Sequence, residues 1–237
     1  MQEFTVIIPC WCTNEEILQL TKNTIDNLGK VGEIVIIDNG STMGGGYLRS
    51  VADVYIRNQE NKGYAYAVNQ GLKICRNELV CVSNNDIVPS SNWQEVAIEV
   101  LGNENVYSCH YKMVDYDKDF GLGDRIWYGE KERWCTSSFF VINRAKYLLY
   151  YDENYFNSYC DWDYWYTVRK TGLLTAYTNK AAYKHKHSSS QKYIPEREEN
   201  DRRNKEYFKE KWGGYAETLF EREYPLQMRR DYKEGFE

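Results

Sequence analysis

The sequence predicts an α/β fold: a mostly parallel, Rossmann-like central sheet flanked by helices, with a helical appendage at the C-terminus. Three observations carry that reading. Short apolar runs alternate with helical segments through the first third of the chain. Polar clusters stand at the ends of two of those runs, where ligands gather in parallel sheets. The stretch after residue 190 is dense in charge and carries helix start and stop signals.

The elements follow in order. Phe4-Thr5-Val6-Ile7-Ile8-Pro9 is a short buried strand stopped by proline. Thr13 or Asn14 caps a helix through about Leu28, with Glu15 and Glu16 in its first turn and Ile17, Leu18, Thr21, Ile25 and Leu28 on one face. Glu33–Ile37 is a second strand, ending at Asp38-Asn39-Gly40-Ser41, and Val54–Ile56 is a third. A helix over Tyr64–Cys75 leads to a fourth strand, Leu79–Ser83, followed by Asn84-Asn85-Asp86. Tyr111–Trp134 is polar and glycine-punctuated, the pattern of an irregular loop. Phe139–Ile142 resumes the sheet, and Arg144–Tyr151 reads as a short helix. Asp161–Thr171 is a further helix closed by Gly172. Leu174–Thr178 and Ala181–His187 are strands, and a charged helix runs between Pro195 and Gly213-Gly214.

Composition narrows the function. A chain of 237 residues, 42% hydrophobic and 27% charged, is globular and long enough for one large domain with an appendage. It holds no run of apolar residues long enough to cross a membrane as a helix. Strand-like sequence begins at once, the pattern of a chain without a secretory signal. Seven cysteines without a C-x-x-C spacing read as reduced thiols of a cytoplasmic protein rather than a disulfide frame or zinc cluster. Charge is uneven: residues 1–168 carry −9, residues 169–211 carry +6 and residues 212–237 carry −2. The acidic body excludes indiscriminate nucleic-acid binding; the basic stretch is either an internally paired helix face or a surface for an anionic partner, such as the inner face of a membrane.

Four clusters have the residue types of a reaction site. Asp86, after two side-chain amides at a strand end, suits Mg²⁺ or Mn²⁺ on a diphosphate, although Asn-Asn-Asp is also good turn chemistry. Asp161 and Asp163 stand at a helix start, where either could cap the helix or act as a general base. His185 and His187 share one face of a strand. The aromatic-rich stretch Tyr147–Tyr166 supplies core, and faces on which sugars or bases stack.

Taken together, Val6–Trp11, Ile36–Thr42, NQENKGYAYAVNQG over Asn58–Gly71, Val82–Pro89, Cys160–Tyr164 with Arg169 and Gly172, and Ala182–Ser190 resemble the family 2 nucleotide-sugar glycosyltransferases. The resemblance covers residues 4–190 and implies the GT-A fold. It assigns 1–190 to that domain, with 1–110 the nucleotide-sugar half, 111–190 the acceptor and catalytic half, and 191–237 a charged helical extension. It implies a metal-dependent, inverting hexosyl transfer from a nucleoside diphosphate sugar, UDP favoured over dTDP or GDP. Pro9, Trp11, Asp38, Asn61, Gly63, Asn69, Asn84 and Asn85 would border the donor. Asp86 with His185 or His187 would hold Mn²⁺ or Mg²⁺, and Asp161 or Asp163 would deprotonate the acceptor. A glycan or lipid-linked saccharide is the expected acceptor, and nucleic acid enters only as a hydroxymethylated base in that same role. A non-catalytic module of the same fold is the alternative. A nucleotidyltransferase would need glycine and a basic residue in Cys10–Asn14, and a dinucleotide enzyme would need G-x-G-x-x-G there; neither is present.

Overall fold

The computed structural model describes residues 3–129, 137–186 and 191–223. Among these residues, nine strands form one mixed sheet in the order β3-β2-β1-β4-β8-β6-β9-β5, with β7 paired on β9. The N-terminal half is parallel: β1 (Phe4–Cys10), β2 (Glu33–Asp38), β3 (Val54–Arg57) and β4 (Leu79–Ser83). Beyond β4 the directions alternate. Strand β8 (Phe139–Asn143) runs antiparallel to both β4 and β6 (Val106–Asp115), while β9 (Leu174–His185) is parallel to β6. The short strands β5 (Ile87–Pro89) and β7 (Ile126–Tyr128) pair antiparallel with β9.

Both faces of the sheet are covered, so its central strands are mostly apolar and the few polar residues within them, such as Thr5 and Ser83, are buried. Val6, Ile8 and Ile36 face α1 (Glu15–Asn27), α2 (Gly45–Val51) and α4 (Trp93–Leu101), while Ile7, Val35 and Ile37 face α3 (Tyr64–Ile74) and α5 (Cys160–Lys170). Asn14 caps α1, its side chain accepting from Ile17 N at 3.1 Å, worth about 1 kcal/mol. The last helices, α6 (Arg197–Trp212) and α7 (Ala216–Glu223), lie on the α5 side, with Phe208 and Leu219 buried in that core.

The structure corrects several local expectations. Tyr111–Asp115 is the end of β6, and β7 interrupts the expected irregular loop, whose Trp134 lies outside the described residues. Arg144–Tyr151 is not helical: residues 144–146 form a turn, and Asn69 on α3 accepts from Tyr151 N at 2.8 Å and donates to Tyr151 O at 2.9 Å, tying the end of the segment to α3. The two strands expected after Gly172 are one strand, β9, bent by a register shift. Helices α2 and α4 and strand β5 had no counterpart in the sequence reading. The basic run of α6 is largely paired among the described residues. Arg202 meets Glu199 at 2.6 Å, Lys205 meets Glu217 at 3.3 Å, and Lys211 meets Asp152 at 2.7 Å and Asp163 at 2.8 Å.

Candidate active site

The carboxyl ends of β1, β2 and β4 open into one polar cleft. Pro9 and Trp11 form one wall, and Asn39 and Asn61 lie beside them. Asn39 joins the β2 end to α3: its amide donates to Asn61 Oδ1 at 2.9 Å and Gly63 O at 3.1 Å, while its oxygen accepts from Asn58 at 2.9 Å. Asn58 and Gln70 then exchange reciprocal amide hydrogen bonds at 2.9 and 3.0 Å. This layer requires glycine twice. Gly40 has φ +82°, and a Cβ there would fall 2.6 Å from the Glu60 backbone; Gly63 has φ +89° and would press on the Phe156 ring at 3.0 Å. Gly63→Ala is expected to cost about 1–2 kcal/mol, read as a lower denaturant midpoint at unchanged slope.

The opposite wall begins after β4 with Asn84, Asn85 and Asp86. Antiparallel pairing sets Ile87 against His185, and Lys186 N donates to Asp86 O at 3.0 Å. The register therefore brings His185 Nε2 to 3.1 Å from Asp86 Oδ1, both residues nearly buried. Two adjacent ligands of one octahedral ion, each about 2.1 Å from it, are about 3 Å apart, so this oxygen–nitrogen pair fits Mn²⁺ or Mg²⁺. Among the described residues no group of three or more such side chains gathers, so donor phosphate and water would complete the sphere.

Asp161 closes the cleft from the first turn of α5, where the helix N-terminus favours an anion. Its Oδ1 accepts from Trp162 N at 3.0 Å. Burial nevertheless raises its pKa above the ordinary aspartate value, which makes the carboxylate a stronger base. The turn before it is strained: Asn157 and Tyr159 have φ near +65°, a region non-glycine residues avoid. Asn157 Oδ1 accepts from Tyr64 N at 3.1 Å, while its buried amide nitrogen has no hydrogen-bond partner among the described residues. Asn204, buried on α6, clamps the turn by donating to Phe156 O at 2.9 Å and to Ser158 O at 3.1 Å.

The model of the family described as Glycosyl transferase family 2 matches residues 5–160. The chain belongs to that family. Its fold is similar to S. aureus TarS 1–349, with TM-score 0.58 and 14% identity over 77% of this chain and 59% of that one. It is also similar to GalNAc-T7, solved with UDP, GalNAc and Mn²⁺, with TM-score 0.62 and 14% identity over 78% of this chain and 44% of that one. The chain thus spans less than two thirds of either structure's length, and the likeness establishes the GT-A fold. No curated protein matches it by sequence. Among the described residues no helix is long and apolar enough to cross a membrane.

Of the expected glycosyltransferase site, Pro9, Trp11, Asn61, Asn84, Asn85, Asp86, Asp161 and His185 line the cleft. Gly63 shapes it from behind, as the residue before α3. Asp38 does not reach it: fully buried, it accepts from Ser41 N at 2.9 Å, from Tyr55 OH at 2.6 Å and from Arg57. Asn69 is spent on the Tyr151 backbone, and Asp163 faces α6. His187 lies outside the described residues. Sequence reasoning missed Tyr64, Asn157 and Asn204, which fall in no spacing pattern; Asn39 was visible only as the neighbour of Asp38.

Proposed function

We propose that this chain is a metal-dependent, inverting glycosyltransferase that moves a sugar from a nucleoside diphosphate to an acceptor hydroxyl. One observation carries the reading: the Asp86–His185 pair and the desolvated Asp161 carboxylate line a single polar cleft at the strand ends. Trp11, Asn39 and Asn61 border the nucleoside side, and Asn84 and Asn85 lead to the ion pair. Asp38 acts behind them, fixing the Ser41 turn and Arg57 instead of touching the donor. Asp86 and His185 would hold Mn²⁺ or Mg²⁺, which offsets charge on the departing diphosphate. UDP is the favoured nucleotide, in keeping with the UDP and Mn²⁺ in GalNAc-T7.

Asp161 takes the proton of the acceptor hydroxyl. Direct attack on the anomeric carbon needs one base and no protein nucleophile, hence inversion. The other carboxylate among the described residues of the cleft, Asp86, is engaged with His185. The test is release of nucleoside diphosphate from UDP-, GDP- and dTDP-sugars with and without Mn²⁺. One donor should react in a metal-dependent way, and Asp86→Ala should abolish that reaction. Equal rates with and without metal, or in Asp86→Ala, would remove the ligand assignment.

A further inference from the structure

The cleft is not the only space that meets Asp161. Beside it a groove runs between the strained turn and α6, lined by Tyr159, Trp162, Asp201, Arg202 and Lys205. Asn157 and Asp161 border both spaces, so the groove adjoins the cleft at the residue assigned as the base. A nucleophile that must lose its proton to Asp161 while the donor fills the cleft has this side from which to enter. The α6 wall lies beyond residue 160, outside the stretch shared with the family.

We infer that this groove is the acceptor site and that the acceptor is an uncharged saccharide; the assignment rests on the donor reading above. Charge argues for a neutral ligand. Arg202 is already held by both oxygens of Glu199, at 2.9 and 2.6 Å. Lys205 lies 3.3 Å from Glu217, and Asp201 lies 3.8 Å from Arg197. Each charged group of the wall has its own counter-ion on α6 or α7, so the groove offers no surplus positive field to recruit a polyanion. Donors and acceptors nonetheless remain: a guanidinium has five N–H groups and a carboxylate about four lone-pair sites, enough to pair with hydroxyls as well as with a counter-ion. The indole of Trp162 and the phenol of Tyr159 add the aromatic surface on which the C–H face of a sugar ring packs. Paired charges beside aromatic rings suit a polyhydroxyl ligand better than a phosphate chain. Asn157 borders both groove and cleft, and its side-chain amide nitrogen, without a hydrogen-bond partner among the described residues, is left for a ligand oxygen.

The experiment is saturation-transfer NMR on the full chain, with and without UDP and Mn²⁺. The probes are the methyl glycosides of glucose, galactose, mannose, N-acetylglucosamine and N-acetylgalactosamine, with methyl glucuronide and glucose 6-phosphate as charged counterparts. At least one neutral glycoside is expected to bind. Trp162→Ala should weaken it about fivefold to tenfold with nucleotide affinity unchanged. Asp201→Ala, on the half-exposed face of α6, should also weaken it and covers the case in which the tryptophan variant fails to fold. Binding of the charged probes alone, neutral binding indifferent to both substitutions, or no glycoside bound while UDP binds would each overturn the assignment. Glycoside binding without any nucleotide binding would keep the groove and remove the donor reading instead.

Discussion

Asp161→Asn is expected to lower turnover by roughly 10²-fold or more while nucleotide affinity stays the same. The asparagine keeps an oxygen for Trp162 N, the contact that Asp161 Oδ1 makes at 3.0 Å, so the first turn of α5 should persist. What it loses is the capacity to take a proton. Burial raises the Asp161 pKa, so in the parent enzyme the active, ionised form appears only as pH rises through a value above the usual aspartate range. The acid limb of kcat/KM should sit correspondingly high, and any residual activity of Asp161→Asn should lack that limb. Stability should move the other way. An acid whose folded-state pKa is raised is favoured in the fold when protonated, and that advantage fades as pH rises through the folded pKa. The variant should therefore melt at or above the parent temperature near neutral pH, with the difference disappearing in acid. A parent-like rate in Asp161→Asn would take the proton-transfer role from this residue.

Asp163→Ala should do the opposite, lowering stability and sparing the chemistry. Asp163 Oδ1 accepts from Trp212 Nε1 at 2.7 Å and lies 2.8 Å from Lys211 Nζ, and Tyr155 OH adds a longer contact at 3.3 Å. The carboxylate is almost wholly buried, whereas the Lys211 side chain is 30% exposed, so solvent softens what would be a larger loss. About 2–3 kcal/mol is expected, a fall of roughly 5–10 °C in melting temperature. This joint fastens α6 to α5, and α6 carries the Asn204 clamp on the turn ahead of Asp161. Thermal unfolding checks the magnitude. A parent-like melting curve with lost turnover would instead make Asp163 the base.

The contrast between the two aspartates shows what the sequence could and could not disclose. Residues two apart on a helix point roughly 200° away from each other, so Asp161 and Asp163 could not both face one cleft. Which one does depends on how α5 sits against the sheet and α6, a tertiary fact. The parallel half was legible because β1, β2 and β4 are dominated by apolar residues, and β2 and β4 stop at polar clusters. Strand β6 was not, since Ser108, His110 and Lys112 interrupt its apolar pattern although Ser108 and His110 are buried. Asp86 and His185 are far apart in sequence, and only the pairing of Ile87 with His185 brings them together. Asp38 misled for the converse reason: it ends a strand where ligands gather, yet Tyr55 and Arg57 of the neighbouring strand cover it.

The most direct test of the account is calorimetric titration of the full chain with UDP, GDP and dTDP, with and without Mn²⁺, repeated on Asp86→Ala. One of these nucleotides is expected to bind the parent chain in a Mn²⁺-dependent way, and the metal-dependent part is expected to vanish in Asp86→Ala. No binding of any of them, or binding indifferent to both the metal and the substitution, would contradict it.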